Sequence, residues 1–154
     1  MSETFRSALG RKVVSRASAE RLGYVSRLVV DVEHRAVAAL VLGKGRKARL
    51  VDWTSVVGFG PDAVIVADDG ALRAPVEDAD KAAVAGAFEL VSKRALSDRG
   101  NELGKIDDVT FDPATGKLQR IIAGGQEREA QDLLGSGSYA AVLREASNAT
   151  GARA

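Results

Sequence analysis

The sequence predicts a mainly β protein built as two tandem small antiparallel β-barrels joined by a short linker helix. Three observations carry that prediction. A block of residues recurs in diverged form in the second half of the chain. Within each copy, short runs of β-branched and other apolar residues alternate with turn residues, as in small barrels. One stretch between the copies has helical spacing instead.

The recurrence is easiest to see from Leu22 and Leu103. LGYVSRLVVDVEHRAVAALVLG sets against LGKIDDVTFDPATGKLQRIIAGG at a constant shift of 81 residues. Leu22 and Gly23 fall on Leu103 and Gly104, and Val25 on Ile106. Val30 falls on Phe111, Asp31 on Asp112, Val37 on Leu118 and Leu40 on Ile121. A second block, SVVGFGPDAVIV against DLLGSGSYAAVL, follows at a shift of 77 and pairs Gly58 with Gly135 and Gly60 with Gly137. The second copy has therefore lost four residues between the blocks, where the first has a Lys/Arg-rich loop. Two copies at so long a period make two modules, not a solenoid.

The elements follow in order. Lys12 to Ser15 is a short strand. Tyr24 to Val32 is a strand rich in β-branched residues. Glu33-His34-Arg35 turns it into Ala36 to Leu42, completing a hairpin. Arg49 to Trp53 and Ala63 to Ala67 add further strands. The second hairpin has arms Lys105 to Phe111 and Lys117 to Ala123 around Asp112-Pro113-Ala114-Thr115-Gly116, a turn with proline early and glycine late. Gly23 and Gly104, just before the long strands, suit turns with positive φ. Between the copies, Val84, Phe88 and Val91 fall at helical spacing, acidic residues come early, and Pro75 can start a helix. This predicts a helix from about Val76 to Ala87, with Gly86 weakening its end. The module boundaries are 7–72 and 88–146, the linker is 73–87, and a small, polar tail over 147–154 is expected to be disordered.

The first copy is more apolar than the second. Where the second has Thr110, Gln119 and Arg120, the first has Val29, Ala38 and Ala39. Near-continuous apolar runs suit strands covered on both faces, and modules this small bury too little core alone. Val29, Ala38 and Ala39 are therefore candidate interface residues, against the other copy, the linker helix or another chain.

These motifs, taken together, resemble the PRC-barrel family, named after the H subunit of the photosynthetic reaction centre. The family barrel also forms the C-terminal domain of the ribosome maturation factor that binds a small-subunit ribosomal protein. The resemblance rests on Leu22-Gly23, the strand through Val30-Asp31, AVAALVLG and VDWTSVVGFGPDAVIV in the first copy. In the second it rests on ELGKIDDVTFDPATGKLQRIIAGG and DLLGSGSYAAVL. It implies a non-catalytic adaptor barrel and brings no catalytic residues with it.

Composition narrows the chemistry. With 45% apolar and 28% charged residues, the chain is expected to fold as a soluble globule. It has no cysteine, which excludes thiolate metal sites, disulfides and cysteine nucleophiles, and its one histidine excludes paired-histidine metal motifs within a chain. No apolar run reaches the roughly 20 residues of a membrane span, and the start of the chain is not of signal-peptide type. These features lead to an expected cytoplasmic location, peripheral to a membrane-bound complex in one version. The net charge of +1 divides unevenly, with a basic first half and an acidic second half.

Few residues invite chemistry. Asp107, Asp108 and Asp112 are acidic neighbours, but successive strand residues face opposite ways and Asp112 is explained by the turn. His34 sits in a hairpin turn with no carboxylate or nucleophile at telling spacing, and reads as a solvated turn residue. Ser136 lies outside a nucleophile-elbow pattern, and Gly43-Lys44-Gly45 lacks the phosphate-loop spacing. The sequence thus reads as non-enzymatic, with no catalytic, cofactor or metal site. Trp53 either plugs a barrel end or anchors a partner. The sharpest local feature is the loop holding Lys44, Arg46, Lys47 and Arg49, a candidate surface for RNA or an anionic membrane; aromatic residues for base stacking are missing near it in sequence. The leading functional expectation is an adaptor or scaffold binding a protein partner through barrel surfaces, as a homodimer or compact tandem. The alternative is an RNA- or ribosome-associated factor using the basic loop.

Overall fold

The computed structural model describes residues 2–145, so the tail expectation for 147–154 lies outside the described residues. A short strand β1 (Glu3–Thr4) and a single helical turn α1 (Phe5–Ala8) open the chain. The first module follows as β2 (Lys12–Ser15), β3 (Arg21–Asp31), β4 (Ala36–Leu42), β5 (Arg49–Asp52), β6 (Val56–Phe59) and β7 (Val64–Val66). A helix α2 (Asp78–Val84) leads to the second module: β8 (Arg94–Ser97), β9 (Glu102–Phe111), β10 (Leu118–Ala123), β11 (Gln126–Glu129), β12 (Leu133–Ser136) and β13 (Ala141–Leu143).

The two modules have one topology. The strand orders are β5-β4-β3-β2-β7-β6 and β11-β10-β9-β8-β13-β12, which coincide strand for strand. Even the irregularities repeat: the register shifts beside Leu22 in β3 and beside Leu103 in β9, two equivalent bulges. Gly23 and Gly104 lie inside these bulged strands, not before them. The expectation of closed, purely antiparallel barrels needs correction. Each sheet is an open path, and each contains one parallel pair, β2 with β7 and β8 with β13. The parallel pair joins the first and last strands of a module, a contact between distant segments that local periodicity does not register.

The lost four residues are visible as geometry. The first module joins β4 to β5 through Gly43–Ala48, with a 3-10 turn at Gly45–Lys47. The second joins β10 to β11 through Gly124 and Gly125 alone. Their φ values of 57° and 81° are what a two-residue primed turn requires.

The halves share one core. A single cluster of buried side chains runs from Phe5 through Val30, Leu40 and Phe59 to Phe111, Ile121 and Leu143. Phe111 of β9 is wholly buried. Phe5 and Phe59 meet it edge-on at 5.5 and 5.3 Å, and Trp53 at 6.3 Å. At the hairpin tips the copies pair reciprocally: Val37 N donates to Gly116 O at 2.8 Å, and Leu118 N donates to Arg35 O at 2.9 Å. Val37 and Leu118 are repeat equivalents, as are Arg35 and Gly116, so the contact is a pseudo-twofold within one chain. β1 adds a further tie, pairing Glu3 with Phe111 and Thr4 with Thr110 on the second module.

The linker helix is shorter than expected. Glu77 is its N-cap, so Pro75 lies outside it, and Gly86 at φ 98° follows its end. Of the three apolar residues at helical spacing, only Val84 is on it. Its Ala83 and Val84 cover the outer face of the first hairpin, packing with Val29, Ala39, Val41, Ala48 and Leu50. Val29 and Ala39 thus pack against the helix within the chain. Ala38 is exposed; it is the extra residue of a bulge, since Val29 pairs with Ala39 and Val30 with Val37.

Val30 and Phe111 are both buried at equivalent places. Phe111→Ala removes the ring that four elements share, and is expected to cost about 3–5 kcal/mol in denaturant unfolding. A loss under about 1 kcal/mol contradicts this account of the core.

Candidate anion-binding cleft

Most charged side chains of the described residues that form ion pairs do so to hold elements together. Arg11 reaches Glu3 at 3.1 Å, donates to Gly60 O at 2.8 Å and lies over the Phe59 ring, tying the N-terminal segment to the first module. Arg73 binds both Asp52 and Asp80, at 3.0 and 2.8 Å, and its backbone pairs with Leu50 to cover the open edge of β5. These partners hold the Arg73 guanidinium strongly protonated and Asp80 below the usual carboxylate range. Arg27 pairs with Glu89, and Arg120 with Glu127 and Glu129.

The acidic neighbours are also spent on structure. Asp107 accepts from Gly125 N, Asp108 from Arg6 N and Val109 N, and Asp112 from Ala114 N. Each caps backbone amides that a turn or segment junction leaves open. Among the described residues, the ligand atoms that do converge are those of Asp31, Glu33 and His34, within 4.8 Å of one another on an exposed turn. This corrects the reading of His34 as lacking a carboxylate. The turn brings Asp31 back to it, with Asp31 Oδ2 at 2.7 Å from Nδ1. Ser136 Oγ accepts from Lys93 Nζ at 3.0 Å, while the same ammonium donates to Ala87 O. Burial lowers the Lys93 pKa, and the nitrogen is held between the Ala87 carbonyl and the Ser136 hydroxyl.

The basic loop behaves differently. Lys44, Arg46 and Lys47 are exposed and Arg49 half-buried, and none has a carboxylate partner among the described residues. Arg49 donates to Ala48 O at 2.9 Å and Arg46 O at 3.3 Å, bracing the 3-10 turn. The loop stands off from the start of β3 and leaves an open cleft of about 490 Å³. Leu22, Leu42 and Leu72 supply its apolar floor, and Lys44, Lys47 and Arg49 line it. Of the four cations singled out in the sequence, three come together there; Arg46 does not line it. Sequence reasoning missed the leucines and Tyr24, a half-exposed ring that also lines the cleft. They come from three separate segments, and no local motif marks them.

Trp53 is structural in large part. Its ring lies over Gly116, where an added Cβ would come within 2.8 Å of the indole, and beside Phe59 at 5.7 Å. It also lines a smaller groove of about 350 Å³ with Val57 and Pro113.

Two copies of one six-stranded open sheet, fused about a pseudo-twofold, define a tandem small β-sheet module. The family model of the PRC-barrel domain matches the chain twice, over residues 3–73 and 84–135, and the chain belongs to that family. No curated protein matches it. No helix among the described residues is long and apolar enough to cross a membrane.

The Asp31–His34 pair gives a measurable titration. The hydrogen bond and charge of Asp31 raise the His34 pKa above the usual imidazole value of about 6.5, and His34 holds Asp31 below the usual carboxylate value. For a raised histidine, the stabilisation is complete below about pH 6.5 and is lost as pH rises through the folded value. For the depressed Asp31, it is lost as pH falls through its lowered value. Proton NMR of this single histidine should give a midpoint above that of Asp31→Asn; equal midpoints contradict the pairing.

Proposed function

We propose that this chain is a non-catalytic adaptor that binds a protein partner through the outer surface of its first module, acting in the cytoplasm. One observation carries the reading. Lys44 and Lys47, on a loop specific to the first module, and Arg49 at the start of β5 line one cleft with an apolar floor of Leu22, Leu42 and Leu72. A mixed apolar and cationic surface suits the binding of a partner. The clusters that a reaction would draw on, Asp107 with Asp108 and Ser136 with Lys93, are engaged in holding segments together, which supports a binding role over a catalytic one.

A second reading, RNA binding, has one observation in its favour. Tyr24 brings an aromatic ring to the same cleft as Lys44, Lys47 and Arg49, combining a stacking surface with phosphate ligands. Against it, the Arg21 guanidinium already lies over the Tyr24 ring at 5.0 Å.

Affinity capture with the tagged full chain, across a salt series and with and without nuclease, separates the two. The adaptor reading expects one protein partner retained after nuclease treatment. Recovery of RNA that nuclease abolishes, with affinity falling on a log–log slope of about 0.7 per phosphate contacted, overturns it in favour of the second.

A further inference from the structure

The second module is an internal control for the first. In it, the Gly124–Gly125 turn lies directly against Leu103 and Gly104: a Cβ on Gly104 would come within 2.9 Å of Gly124 Cα, and one on Gly124 would strike the Leu103 carbonyl. In the first module, the equivalent Gly23 meets only the Leu42 side chain, at 3.3 Å, because the longer Gly43–Ala48 loop swings away. The segment that opens the gap is the segment that carries Lys44 and Lys47. It is not needed to complete the sheet, since β11 forms beside β10 without it. One segment therefore both opens the space and supplies two of its three cations.

Resting on the adaptor reading, we propose that this cleft is the docking site for an acidic segment of the protein partner, with a bulky apolar side chain flanked by carboxylates. The apolar side chain covers Leu22, Leu42 and Leu72, and the carboxylates meet Lys44, Lys47 and Arg49. The size fits, as binding pockets run from about 300 to 1,000 Å³. The opening to solvent lets a chain enter and leave. Charge complementarity selects the occupant: every charged residue lining the cleft is a cation, and lysine ammoniums without carboxylate partners among the described residues lose no ion pair on binding. Arg49 also donates to the Arg46 and Ala48 carbonyls, so the same guanidinium braces the turn that carries Lys47.

The test uses the full chain and fluorescence anisotropy of a labelled peptide of sequence GEDLEDG at low ionic strength. Saturable binding is expected, weakened about ten-fold when the central leucine becomes serine and by at least as much when the acids become amides. Two variants probe the cleft. Lys44→Ser combined with Lys47→Ser should keep the wild-type Tm, since exposed charges contribute little to folding, and should weaken binding about ten-fold or more. Replacing residues 43–48 by Gly-Gly, the turn of the second module, should close the cleft and abolish binding. Unchanged peptide binding by the lysine variant or the folded loop replacement overturns the proposal. So does an absence of peptide binding to wild type, and if the loop replacement still captures the protein partner, the adaptor reading survives alone. Labelled oligouridine or phosphatidylserine vesicles binding where the peptide does not overturns both readings. Self-association lost in the loop replacement, seen by sedimentation, assigns the cleft to a second copy and likewise overturns the partner assignment.

Discussion

Phe111 cannot be buried by its own module. It stands on β9 of the second copy, yet the rings around it, Phe5, Trp53 and Phe59, all come from the first copy and the segment before it. Edge-on aromatic pairs contribute about 0.5–1.5 kcal/mol each beyond the area they bury. Modules of this size expose too much surface for the core they enclose. Sharing one core across the pseudo-twofold removes that difficulty. Much else follows from it: the reciprocal hydrogen bonds at the hairpin tips, the position of Trp53 over a glycine, and the crossing of β1 onto the second sheet.

The pseudo-symmetry is strict where backbone is concerned and loose where side chains are. Gly10 and Ser92 occupy equivalent places and both have positive φ, 83° and 75°. Each donates to the strand at Val25 or Ile106, and the next residue accepts in return from the same strand. A serine in that conformation is uncommon, and it persists because the surrounding hydrogen bonds are the same as at Gly10. Side chains diverge around this frame. Trp53 has a small counterpart in Ala130, and Phe111 has one in Val30. A twofold contact needs complementary volumes across the axis, and unequal partners meet that need as well as equal ones.

Much of this was legible in the sequence. The shift from 81 to 77 located the missing residues between β10 and β11, and the hairpins fell near their expected bounds. Alternation in Val109 and Phe111 marked the core face, and Val29 with Ala39 marked a covered one. What could not be read is what depends on distant segments. The parallel pairing of β2 with β7 is one case. Another is the cleft, whose leucines come from positions 22, 42 and 72. The helix was overestimated because Phe88 and Val91 continue its spacing. Val91 is apolar because it packs against the shared core, whereas the Phe88 side chain is exposed and only its backbone carbonyl, which any residue supplies, engages Val30 N. Asp31 and His34 were missed as a pair because a turn, and not a regular element, sets their distance.

The strand β1 has a consequence for how the molecule comes into being. Glu3 and Thr4 are synthesised before their partners Phe111 and Thr110, which follow more than a hundred residues later. Domains are usually completed from the N-terminus as synthesis proceeds. Here β1 must stay unpaired until β9 exists, and the contact of Phe5 with Phe111 waits with it. Pairing of β1 with β9 therefore has to wait until the second hairpin has been made, and once formed it ties together segments that synthesis separates widely in time.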